Sequence, residues 1–411
     1  MSESTSGTGL RRVLRLRDLV LFYVVAVVGM RWVAVAAAAG PSALVIWLIA
    51  AVALFIPLAF TVLELSSRYP EEGGIYVWTK QAFGEFAGFM TGWTYWGANL
   101  TYLPGLLYFT ASSGLYIFGT RFAHLQDSPT YFIVVALLGL TLATVLNIVG
   151  LEVGKWLNNV GGIASWVAML LLIGMGLLLA ARFGSATPIT PASLLPSTGF
   201  KDVIFWASIA FGFSGLEAGS FMGEEIEDPR RTIPRAVAIS GVIIAALYIL
   251  GTLAILVALP QSEVTGLSGI MDAITATGAR LGLTGLAPLA AFLIVVSTLG
   301  GVSVWLAAPA RLPFVAGIDN YLPRAFGKVH PKYGTPHVAL LVQAGIALVC
   351  AILGSRFYGC CAGSASCRSW SWRACSFASS LKSACTTAHG AAGGRSSCAS
   401  GRPMCSSCGC G

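Results

Sequence analysis

Few titratable side chains in these 411 residues sit in apolar surroundings, and Glu217 is the one whose setting points to chemistry. It lies within Val203–Arg235, VIFWASIAFGFSGLEAGSFMGEEIEDPRRTIPR, an apolar run that Gly212, Ser214 and Gly215 interrupt just ahead of the carboxylate. A carboxylate at membrane depth is costly, and it is kept where it exchanges a proton or meets a polar solute. Every backbone N–H and C=O in hydrocarbon needs a partner, so a break there is stable only beside protein or a water-filled cavity. A glycine-broken apolar segment holding one acid therefore reads as a binding site for a small solute, with Glu217 just past the break.

A second candidate lies in VVAVVGMRWVAVAAAAGP, where Gly29, Met30 and Arg31 fall a third to half of the way along an apolar run. An arginine at that depth costs at least ~2.5 kcal/mol, so it faces protein, water or a solute, or else lies in a break near one surface and snorkels out. Gly29 serves either unwinding or close helix packing. Asn99, in an aromatic-rich run with Trp93, Tyr95, Trp96, Tyr102 and Tyr108, either bonds a neighbouring helix or lines a polar cavity. Trp305 follows Gly300 and Gly301 and offers an indole face to a ligand cation. His124, His330, His337 and His389 are scattered, with no nucleophile–base set or ligand cluster in the apolar runs, so neither an enzyme, a metal nor a cofactor is expected.

The elements that must hold these residues are long apolar helices. Mean hydropathy is +0.78, with 56% hydrophobic and 10% charged residues, far from a water-soluble domain. A helix crossing a bilayer needs about 20 apolar residues. On that measure spans fall near 18–39, 43–65, 84–118, 130–149, 158–181, 202–222, 236–259, 286–315 and 337–354, with a short amphipathic helix over Ile75–Phe83. The four arginines Arg11, Arg12, Arg15 and Arg17 lead straight into the first span, which stays in place as part of the mature chain. Residues 1–17 form an N-terminal segment and 18–355 a transmembrane domain.

With the N-terminus in the cytoplasm, fourteen Lys/Arg fall on cytoplasmic segments and four on the other side, a positive-inside bias that fixes this orientation in a cell membrane. The loop after the sixth span packs Glu224, Glu225, Glu227 and Asp228 against Arg230, Arg231 and Arg235, as an ion-pair network around a turn or as a solvated loop. The net charge of +8 is no nucleic-acid signature, because residues 1–355 hold 19 Lys/Arg against 17 Asp/Glu.

Three stretches together resemble a known family: GPSALVIWLIAAVALFIPLAFTVLELSSRYPEEGGIYVWTKQAFG, FSGLEAGSFMGEEIEDPRRTIPRA and RLPFVAGIDNYLPRAFGKVHPKYGTP. The chain resembles the amino acid–polyamine–organocation permeases from about Arg15 to about Leu353. The resemblance implies an all-α polytopic membrane protein with a leucine-transporter-type inverted repeat, five helices plus five, and a substrate held between broken helices 1 and 6. It implies Gly29, Met30 and Arg31 at the first break, and Phe211, Gly212, Phe213, Ser214 and Gly215 at the second. Asn99 and Trp305 match substrate-contacting positions, and Glu217 a coupling or gating acid, of arginine:agmatine exchangers. Two departures stand out: Gly-Met-Arg where the family has small residues at the first break, and Ser165 where some proton-coupled members carry a lysine.

From Arg356 onward the composition changes to Ser, Arg, Gly and nine cysteines, with a single Leu and no Val, Ile or acid. The expectation is an aberrant tail, produced by a shifted reading frame, in a chain truncated to about nine spans. A cysteine-based metal or disulfide tail is the weaker alternative. The function implied is secondary active transport of amino acids or related amines by alternating access, as proton symport or exchange. The alternative is a truncated membrane protein that transports nothing. Partners are the substrate, protons and the lipid bilayer, and no nucleic acid.

Overall fold

A proline and one close glycine pair shape the helices that matter most. The computed structural model describes residue 10 and residues 12–196, 199–264 and 269–362, with side chains only to residue 354; the expected tail at 356–411 otherwise lies outside the described residues. The chain begins with α1 (Leu16–Val27) and α2 (Met30–Ala38), two halves of one interrupted span. Next comes α3 (Ser42–Arg68), which widens into a π-turn over Ala51–Phe55 just ahead of Pro57. The proline supplies no N–H and its ring crowds the carbonyl four residues back, and the wider turn absorbs both defects. Then follow α4 (Ile75–Phe83) and the 30-residue α5 (Glu85–Gly114).

The middle of the chain holds α6 (Pro129–Val149), α7 (Leu151–Phe183), α8 (Phe200–Phe211) and α9 (Leu216–Glu225), the last wound largely in 3₁₀ turns. After it come α10 (Pro229–Ala258), α11 (Gly269–Leu281), α12 (Leu286–Ala307), α13 (Arg311–Ile318) and α14 (His337–Ala362). A helix stands at each of the nine expected spans, and α4 has the bounds read from the sequence. Among the described residues seven spans are long and apolar enough to cross a membrane. The other two are α5, with its glycines and Asn99, and the interrupted pair α8–α9. The amphipathic α11 was not anticipated: at 13 residues it is too short to span, and it buries Ile270, Met271 and Ile274.

The first span is the centre of the bundle. Of its most apolar stretch 83% is buried, against 28% for α3, and α1 packs on α7, α10 and α12. The α7–α12 crossing is closest at Gly161 and Gly300, where a Cβ on either would lie 2.8 Å from the other's Cα. Outward faces of α3, α6, α7 and α10 carry Val52, Phe60, Leu138, Leu170 and Val242, all well exposed. An apolar belt of this extent is unfavourable in water and matched to hydrocarbon.

Candidate functional site

The two interrupted spans meet at one hydroxyl. Helix α1 stops at Val27, Val28 leaves the helix at φ −68° and ψ 78°, Gly29 is extended, and α2 begins at Met30. The break thus falls at Val28–Gly29, one residue earlier than the sequence pattern implied, with Met30 and Arg31 in the first turn of α2. Helix α8 stops at Phe211, and successive tight turns carry the chain through Gly212, Phe213 and Ser214 to Gly215. Gly215 has φ +117°, a conformation that suits glycine, and a Cβ there would meet Trp305 at 3.2 Å. Between the breaks stands Tyr248 of α10: its Oη accepts from the Gly29 N–H at 3.1 Å and lies within donating distance of the carbonyls of Gly212, at 2.8 Å, and Val27. Trp47 stacks flat on this tyrosine at 4.4 Å, and Phe213 meets it edge-on at 5.4 Å.

Beside the first break lies a cleft lined by Gly29, Met30, Arg31, Tyr102, Ser297, Thr298 and Trp305, among others. Arg31 is buried, 4% exposed, so it does not snorkel to a surface. Its guanidinium lies over the rings of Tyr102 at 4.5 Å and Trp32 at 4.7 Å. Contacts of this kind between a guanidinium and two ring faces are favourable and place a positive charge on the cleft. On the far wall the Trp305 indole N–H donates to the Ala26 carbonyl at 3.0 Å, and the Thr110 hydroxyl donates to Thr298 Oγ1 at 2.8 Å.

Glu217 sits one turn past the second break. Its Oε1 accepts from the Tyr95 hydroxyl at 2.7 Å and its Oε2 from the Gly215 N–H at 3.1 Å, so the carboxylate is oriented from α5 and from the break itself. The remaining expected residues distribute differently. Asn99 donates to the Trp305 carbonyl at 2.7 Å and does not line the cleft, so it joins α5 to α12. Gln343 of α14 donates to the same carbonyl at 3.1 Å. Phe213 is core, Phe211 is exposed with its edge against Trp32, and the Ser214 hydroxyl caps its own turn on the Phe211 carbonyl. Gly29, Met30, Arg31 and Trp305 come together; Gly212, Gly215 and Glu217 lie along the second break.

Three tyrosines in the site were not singled out from sequence. Tyr95 and Tyr102 stand four residues before and three after Asn99, the spacing of one helix face, and that pattern was there to be read. Tyr248 gave no comparable signal, being one of three hydroxyl side chains, with Ser240 and Thr252, in an apolar run.

Charges gather on the face that holds the N-terminal segment. The Arg311 side chain, 1% exposed, makes a two-bond fork to Glu225 at 3.1 and 2.9 Å and lies 3.6 Å from Glu72. Arg15 pairs with Glu227 at 3.1 Å, and Lys80 with Asp319 at 2.6 Å. Glu225 and Glu227 thus reach other elements, while Asp228 pairs with Arg231 within the loop at 3.9 Å. The segment is a junction in which Glu225 is buried and Glu227 and Asp228 are solvated. Leu14 and Ile226 form an isolated parallel bridge that pins the N-terminal segment to the end of α9.

A family profile described as "Amino acid permease" matches residues 14–386, beyond the end near Leu353 that the motifs gave. An uncharacterized transporter of Legionella pneumophila is 31% identical over 338 residues, 82% of this chain and 72% of its own. A probable agmatine/putrescine antiporter of Lactococcus lactis is 26% identical over 76% of this chain and 66% of its own. The crystal structure of MhsT in complex with L-phenylalanine superposes with TM-score 0.61 at 18% identity, covering 86% of this chain and 82% of that one. That likeness establishes the leucine-transporter-type fold with its paired broken helices. The chain belongs to the amino acid permease family, a family of multi-pass membrane transporters and not of enzymes.

Proposed function

We propose that this chain carries out secondary active transport of a neutral or acidic amino acid by alternating access, with the substrate held in the cleft beside the Val28–Gly29 break. The observation that carries the reading is the pairing of two unwound spans around Tyr248, next to a cleft containing Arg31. Unwound backbone in a membrane is kept where it binds something, and a helix N-terminus such as that of α2 favours a carboxylate. Arg31 adds a full positive charge there. At 4 Å and an effective dielectric of 20 it repels a second cation by about 4 kcal/mol, which disfavours agmatine-like amines. The test is uptake of a panel of radiolabelled amino acids and polyamines by proteoliposomes carrying this chain. Preferred uptake of polyamines, or no uptake of any member, would overturn the reading.

Glu217 is the proton-coupling group in this reading. A carboxylate that accepts from Tyr95 and from the break at Gly215 senses both the conformation of α9 and the water that reaches it. Glu217→Gln keeps the shape and removes the titration, so uptake in the variant loses its pH dependence. A pH profile unchanged from the parent would take Glu217 out of that role. The N-terminus lies in the cytoplasm of a cell membrane, as the distribution of Lys and Arg supports.

A further inference from the structure

We propose that Glu72, in the buried group Glu72–Arg311–Glu225 on the N-terminal face, is a proton-binding site held as the neutral acid at neutral pH and distinct from Glu217. All three side chains are at most 1% exposed. Arg311 commits Nε and Nη2 to Glu225 and Nη1 to the Ala307 carbonyl, three of its five N–H donors, and none of these bonds goes to Glu72. Glu72 Oε2 accepts from the Glu224 N–H at 3.1 Å, whereas Oε1, 3.6 Å from Arg311 Nε, is buried with no hydrogen-bond partner. Two carboxyl groups share one guanidinium, and a buried uncompensated charge is relieved most readily by taking up a proton.

The charged groups facing Glu72 are Glu225 and Glu224 from α9 and Arg311 from α13. Burial, and after it the charge of Glu225, pushes the Glu72 carboxyl well above its ordinary range, with Arg311 pulling the other way. Neighbouring charges are committed elsewhere: Asp319 to Lys80 and Glu227 to Arg15. The pair Glu72/Glu225 titrates as a unit: burial pushes Glu225 up as well, and its fork to Arg311 pulls it back, whereas Glu72 has no such fork.

The position gives the proton a use. Glu72 lies in the link between α3 and α4, which the Gly73 N–H ties to the Phe221 carbonyl of α9 at 3.0 Å, while Gly73 abuts Val315 of α13. Separation of α9 from α13 admits water to the group. Glu72 then passes its proton to that water as hydronium and remains as the carboxylate, so opening this face and releasing the proton are linked.

Infrared spectra of the purified protein at neutral pH, for the parent and Glu72→Gln, test the site without requiring transport. The expected result is a protonated-carboxyl C=O band that Glu72→Gln removes. Thermal unfolding gives a second readout. The native state holds a proton above the ordinary carboxylate range that the unfolded chain has released, so parent Tm falls as pH rises through that range, and the slope flattens in Glu72→Gln. Identical bands in both proteins, or an unchanged Tm slope, overturn the proposal. So does failure of Glu72→Gln to fold, because a neutral isostere must be tolerated where the native group is neutral. A Tm raised by Na⁺ in the parent and lost in Glu72→Gln, with no carboxyl band, also overturns it in favour of a cation.

Discussion

Tyr248 is one phenol serving two breaks, and its loss is separable from packing. In Tyr248→Phe the ring keeps its stack on Trp47 and its edge contact with Phe213, while the Gly29 N–H and the Val27 and Gly212 carbonyls lose a partner. The Gly29 N–H and the Val27 carbonyl still face each other at 2.6 Å, so the Gly212 carbonyl bears the main loss; a stranded buried polar group costs about 1–3 kcal/mol, so the variant unfolds at lower temperature in a thermal-shift assay and takes up less substrate. Arg31 acts at the same scale. Arg31→Gln keeps a polar side chain in the cleft and removes the charge, and competition assays should show acidic amino acids losing ground to neutral ones. Equal loss for both classes would mean that Arg31 supports the fold and does not select substrate. These two residues mark the limits of reading from sequence: Arg31 announced itself as a charge in an apolar run, whereas the role of Tyr248 depends on two carbonyls more than 30 residues away along the chain.

At the scale of elements, apolar length and composition placed the spans, because about 20 apolar residues per crossing is a strong and local constraint. What escaped were features set by contact between elements. The amphipathic α11 has no length signal, and the partners of Glu225 and Glu227 lie in α13 and in the N-terminal segment, not in their own loop. The closest crossing follows the same logic. At Gly161–Gly300 the α7 and α12 backbones approach so nearly that a side chain on either must push them apart. Gly300→Val should cost about 1–3 kcal/mol, read as a lower Tm, and should weaken uptake, since α12 also carries Trp305. A change at Gly174, with open space around its Cβ position, should leave both readouts near the parent.

For the whole molecule, the belt of exposed Val52, Phe60, Leu138, Leu170 and Val242 calls for lipid, and the charged junction on one face calls for water. An epitope at the N-terminus should be accessible to antibody only after cells are permeabilised; staining of intact cells would invert the proposed orientation. The tail from 356 onward resists physical reading from sequence because it offers no apolar period from which to infer an element.

The hydroxyl of Tyr248 has a single hydrogen and two carbonyls within reach of it, those of Val27 and Gly212. Both cannot be fully satisfied at one time. The Val27 carbonyl also accepts from the Gly29 N–H at 2.6 Å, so the phenol hydrogen is needed most by the Gly212 carbonyl, at 2.8 Å. The interrupted spans are therefore tied through a single donor, so a movement at either break changes which acceptor the phenol serves.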